Sequence, residues 1–164
     1  MDSTQPFALF ALAGPIYLLI VTWPLIRIDI RERRLPNRLV LPAIPIALLG
    51  EILASLLTDE WLKFFLALGL SFGALVLGML INRSAALGMG DVKLIATIVL
   101  MLAWFSPIAA LLALVFGFVL ATAVVLHLLV IGRSKLGSTI ALGPYLLLGF
   151  AGSLAISVPS QMLG

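Results

Sequence analysis

Six apolar stretches, residues 7–26, 39–57, 62–81, about 91–105, 108–131 and 140–158, take up most of this chain and decide its solvent. Most approach the ~20 residues that cross a ~30 Å hydrocarbon core. Within hydrocarbon, backbone N–H and C=O groups must find partners inside their own segment, so the stretches are predicted as helices. The expected fold is an all-α polytopic membrane protein with about six transmembrane helices. Only 10% of the 164 residues are charged, against roughly 25% in soluble domains, which leaves too little polar surface for a soluble coat. Residues 1–164 are read as one membrane-embedded domain with short loops.

The charged residues say which way the chain lies. In an alternating topology the first, third and fifth loops share a side and hold Arg27, Arg31, Arg33, Arg34, Arg38, Arg83, Lys93, Arg133 and Lys135. The opposite side has only Lys63, beside Asp59 and Glu60. This positive-inside bias predicts both termini outside and the basic loops in the cytoplasm. It also accounts for the net charge of +3 without nucleic acid as a partner. Met1-Asp2-Ser3-Thr4-Gln5-Pro6 carries no basic residue before the first apolar stretch, unlike a cleavable signal peptide. The chain has no Cys and a single His, His127, so disulfides and thiolate metal sites are excluded and a structural zinc cluster is not expected.

The fourth stretch is unusually short. Residues 94–105 make ~18 Å of helix, so a longer helix must extend backward through Lys93 and Asp91 or forward past Pro107. Trp104 suits an interface and Pro107 the first turn of the next helix, which favours the backward extension. It runs into Leu87-Gly88-Met89-Gly90-Asp91-Val92-Lys93-Leu94. Gly88 and Gly90 permit positive φ and close approach by a neighbouring chain, and an acid in the first helical turn is favoured by the dipole. The plainer alternative is a loop followed by an N-capping Asp. Asp91 is expected at or just below the cytoplasmic interface, where an acid costs roughly 1–3 kcal/mol and marks a wet, functional cavity.

A second acid, Asp29, is predicted at the same depth in Arg27-Ile28-Asp29-Ile30-Arg31-Glu32-Arg33-Arg34-Leu35-Pro36-Asn37-Arg38. Two carboxyl groups brought together there could hydrolyse a peptide: one draws a proton from water while the other, protonated, polarises the scissile carbonyl. Such a pair titrates as a unit. Alternatively, Asp29 pairs with Arg33 or offsets the basic loop. Glu32 is a nearby acid that a helical turn aims elsewhere. Glu51, two thirds along the second stretch, is expected to snorkel or pair with Lys63 rather than act. His127 is read as interfacial or hydrogen-bonded in the core, and Gly69, Gly73 and Gly78 as sites of close helix packing. Pro15, Pro24, Pro42 and Pro45 are expected to kink or end turns of the first two helices.

Three segments carry a family resemblance. Residues Asp29 to Arg38 resemble the Asp-x5-[Ile/Leu]-Pro-Asn segment of the prepilin peptidases, the type IV leader peptidases of the Gly-x-Gly-Asp class of aspartic proteases. Gly88-Met89-Gly90-Asp91-Val92-Lys93-Leu94 is similar to their Gly-x-Gly-Asp-x-Lys-Leu segment. Ile140-Ala141-Leu142-Gly143-Pro144-Tyr145-Leu146 resembles their Gly-Pro-[Phe/Tyr] turn, although members often read Pro-Phe-Gly-Pro where this chain has Ala141-Leu142-Gly143-Pro144.

The resemblance implies a membrane aspartic endopeptidase that removes short basic leaders from type IV prepilins or prepilin-like proteins on the cytoplasmic side of the inner membrane. Members typically cut after a Gly that precedes a hydrophobic pilin helix. Asp29 and Asp91 fall at the catalytic positions, with Gly88, Gly90, Lys93, Pro36, Asn37, Gly143 and Pro144 in supporting ones. It implies no metal or organic cofactor. The amino-terminal region with a Cys tetrad that accompanies N-methylation in longer members has no counterpart here, so methyltransferase activity is not expected. The compact form resembles the peptidases of Flp (Tad) pili or a minimal archaeal-type homologue, with the Flp type favoured. Two rival classes are a proton-coupled carrier, against which the lack of inverted repeats and of midplane acids argues, and a non-catalytic assembly subunit. A presenilin-like protease would act deeper than Asp29 lies. The sequence carries no sign of oligomeric state.

Overall fold

The computed structural model describes residues 9–83, 87–132 and 141–163. A 3-10 turn, Leu9–Leu12, leads into α1 (Ala13–Glu32). The single turn α2 (Asn37–Val40) precedes α3 (Ala43–Thr58), α4 (Trp61–Asn82), α5 (Met89–Ala103), α6 (Pro107–Val130) and α7 (Gly143–Leu163). There is no strand among the described residues, and the architecture is that of an all-α polytopic membrane protein.

Each of the six apolar stretches contains a helix among its described residues, but they are not six equal spans. Four segments, Leu9–Glu32, Asn37–Thr58, Trp61–Asn82 and Pro107–Val130, are long and apolar enough to cross a bilayer, and Gly143–Val158 is shorter. Helix α5 has 15 residues, a rise of ~22 Å. Val92 and everything from Leu94 to Ala103 is buried in it. Helices α3, α4, α6 and α7 all pack on it. A helix apolar all round and screened from lipid on its sides serves as a core post, and it has no need of full spanning length.

Local signals explain the ends. Pro107 opens α6, and the Ser106 hydroxyl accepts the Ala109 N–H at 3.3 Å. Helices α1 and α3 stop at left-handed residues, Arg33 (φ 51°) and Asp59 (φ 58°), whose N–H groups return to the Asp29 and Ser55 carbonyls. Pro42 is the residue before α3 and Pro45 lies in its first turn, while Pro24 sits inside an unbroken α1.

Several side chains are placed otherwise than expected. Trp104 keeps the interfacial level, at the end of α5 with Lys63 Nζ 5.3 Å from its ring centre, but it is packed inside rather than exposed: it is 2% exposed and donates its indole N–H to Ser55 Oγ at 3.1 Å. Glu51 neither snorkels nor pairs with Lys63, because its position on α3 faces the core. It is fully buried with both carboxyl oxygens unpartnered, and Lys63 bonds Glu60 at 2.6 Å instead. Only one of the three α4 glycines is a packing contact. A Cβ on Gly78 would meet Val92 Cγ1 at 2.8 Å, whereas Gly69 and Gly73 face open space. His127 is exposed in the last turn of α6, as an interfacial residue would be.

Candidate active site

Helix α1 carries Asp29 one turn before its end, and the left-handed Arg33 then reverses the chain. That reversal tucks Leu35 inward, leaving it 7% exposed among exposed arginines, and Pro36 in extended conformation starts α2 at Asn37. Asp29 is itself 3% exposed. Its carboxylate accepts the backbone N–H of Gly143, the first residue of α7, at 3.0 Å. A helix N-terminus presents unpaired N–H groups and a positive dipole end, so it suits an anion. Gly143 has to be glycine at this approach: a Cβ would lie 2.6 Å from Asp29 Oδ2. Pro144, partly buried in the same first turn, has no N–H to offer, which leaves Gly143 to supply the donor.

Asp91 is the third residue of α5, counted from the N-cap Gly88. Its carboxylate turns back to the Gly88 N–H, the reciprocal half of a capping box. Gly88 has φ −69°, so the expected positive φ is not used there. What both glycines provide is room. A Cβ on Gly88 would lie 3.0 Å from Asp91 Oδ2, and one on Gly90 would lie 3.0 Å from Leu35 Cβ.

The two acids therefore sit in the same pattern, each carboxylate on a backbone N–H at the start of a helix. Asp29 is near enough for its charge to act on Asp91. Lys93 Nζ donates to Asn37 Oδ1 at 3.0 Å, which ties α5 to the segment that follows Asp29. Thus Asp29, Pro36 and Asn37 from the first segment, Gly88, Gly90, Asp91 and Lys93 from the second, and Gly143 and Pro144 from the third come together at one end of the bundle. Glu32 points away, exposed and bonded to Arg34 at 2.7 Å. Sequence reasoning passed over Leu35 as a residue of the site, and the Gly143 N–H as a partner for Asp29. The only signal for the latter was a Gly-Pro pair opening an apolar stretch.

The profile of the type IV leader peptidase family matches residues 16–126, about two thirds of the chain. The chain belongs to that family. Membership makes it a peptidase, a hydrolase embedded in the membrane by its apolar helices. The match takes in the segments around Asp29 and Asp91 and ends before Gly143, which the structure joins to them through its bond to Asp29. No curated protein and no solved structure matches the chain significantly.

Proposed function

We propose that this family member is an aspartic endopeptidase that cleaves the short basic leader from type IV prepilins or prepilin-like proteins, with Asp29 and Asp91 as its dyad. The observation that carries the reading is the convergence of these two carboxyl groups from distant segments, each steadied by a helix N-terminus. In the reaction one carboxylate takes a proton from water as the water oxygen attacks the scissile carbonyl carbon. The other, protonated, gives its proton to the carbonyl oxygen. The resulting diol collapses as the first acid passes the proton it took from water to the departing amine nitrogen while the second, now ionised, takes a proton back from a diol hydroxyl, which restores the starting pair of one ionised and one neutral acid.

Charge supports a cytoplasmic site in the inner membrane. Arg27, Arg31, Arg34, Arg38 and Arg83 are exposed around the end of the bundle that holds both acids, whereas the opposite turn carries Asp59 and Glu60. Arg133 and Lys135 lie outside the described residues. A prepilin whose apolar helix stays in the bilayer would bring its cleavage point to this level.

The test is cleavage of a candidate prepilin in liposomes by the wild type, Asp29→Asn and Asp91→Asn, with folding checked by thermal unfolding. Each folded variant is expected to lose at least ~10³-fold in rate, within the range for removing a general acid or base. A variant that cuts at near wild-type rate removes its aspartate from the mechanism, and pilus assembly that persists when both acids are neutralised would point to a scaffold subunit.

A further inference from the structure

Leu35 lies where the three segments meet, yet the chemistry of two carboxyl groups and a water makes no call on an aliphatic side chain. Its contacts run in both directions. On one side its Cβ and backbone N lie 3.0 Å and 3.4 Å from where a Cβ of Gly90 would be, one residue before Asp91. On the other its Cδ2 lies 3.1 Å from where a Cβ of Gly143 would be, and Gly143 is the residue that holds Asp29. The series thus runs from the Asp29 carboxylate to the Gly143 N–H, from Gly143 to the Leu35 isobutyl group, and from the Cβ and backbone of Leu35 to Gly90, the neighbour of Asp91. The Asn37–Lys93 bond, two residues along, holds α2 against α5 and keeps Leu35 in place.

We propose that Leu35 is a positioning residue, a spacer between the first turns of α5 and α7 that sets the separation at which Asp29 and Asp91 share one water. The inference rests on the dyad reading above. Both helix starts approach Leu35 so closely that a Cβ on either glycine would press on it. If the isobutyl group is shortened, the start of α7 loses its stop and Asp29 shifts with it. Two groups that must both reach one water within hydrogen-bond distance tolerate little drift, and a misplacement of about 1 Å costs roughly 10²-fold in rate. An ordinary core leucine would behave differently: its truncation would lower stability and leave turnover of the folded enzyme alone.

The experiment compares wild type, Leu35→Ala, Leu35→Val and the volume-conserving Leu35→Met in liposomes, reading kcat, KM and thermal unfolding separately. Leu35→Ala is expected to lower kcat by ~10–100-fold with KM within about 3-fold, and Leu35→Met to return kcat to within about 3-fold of wild type. Should Leu35→Ala fail to fold, Leu35→Val reads the same effect, with an expected loss of ~3–10-fold. A folded truncation that keeps wild-type kcat overturns the proposal, as does an equal loss in the Ala and Met variants. A second readout stands apart from activity. Because the native chain has no Cys, a protein with Asp29→Cys and Asp91→Cys can be cross-linked with reagents of graded length. Adding Leu35→Ala should change which lengths bridge the pair, and an unchanged pattern also overturns the spacer. If Asp29→Asn or Asp91→Asn cuts normally while this pattern does change, the dyad has failed and the spacer has not.

Discussion

At the scale of single residues, the fold treats the carboxyl groups of Asp29 and Asp91 and that of Glu51 oppositely. Asp29 and Asp91 each have a backbone donor at a helix start, so their burial is offset by a designed partner. Glu51 has none, with 0% exposure and both oxygens unpartnered. An unpartnered polar group in an apolar interior costs several kcal/mol, and replacement of such a group by an apolar one of similar size is neutral or stabilising. Glu51→Met is therefore expected to raise the unfolding midpoint, by the equivalent of about 1–3 kcal/mol, and to leave leader cleavage at the wild-type rate. A loss of stability would show that Glu51 has a partner the bundle requires. The sequence shows the acid at position 51 but not this fate, because a one-dimensional reading places it near Lys63 and cannot tell which face of α3 it occupies.

At the scale of elements, α5 is the post on which the others lean, and α4 meets it along one face only. The glycines of α4 register that asymmetry. A methyl at position 78 would press into Val92 of α5 at 2.8 Å, while one at position 73 would enter open space. Ala exceeds Gly in a helix interior by about 0.5–1 kcal/mol, so Gly73→Ala should stabilise by roughly that amount. Gly78→Ala should instead destabilise by ~1–3 kcal/mol, as overpacking does, and shift the nearby first turn of α5 toward lower cleavage. Thermal unfolding of the pair in the same lipid checks both signs. Pattern alone assigned all three α4 glycines to packing. Which of them packs depends on the direction in which α4 crosses α5, and that is not encoded in their spacing.

At the scale of the whole molecule, the exposed Arg27, Arg31, Arg34, Arg38 and Arg83, both acids and the start of α7 share one end of the bundle, and Asp59 and Glu60 mark the other. Single cysteines introduced into the Cys-free chain should report this directly. In sealed, oriented vesicles Arg34→Cys is expected to react with an impermeant maleimide only from the cytoplasmic side and Asp59→Cys only from the other; labelling of both from one side would overturn the topology. By itself the sequence determined the solvent, the helical class, the existence of all six apolar helices and the shortness of α5, because each follows from local hydropathy and length. It also marked Asp29 and Asp91, since acids flanked by Gly or Pro at the edge of apolar stretches are conspicuous. Only the tertiary structure decided that Gly143 supplies the donor for Asp29, that Leu35 stands between the two acid-bearing segments, that Trp104 belongs to the core and that Glu51 is left without a partner. Each of these is a contact between residues far apart in the chain, fixed by how helices rotate and approach when they pack, and helical periodicity leaves that rotation free.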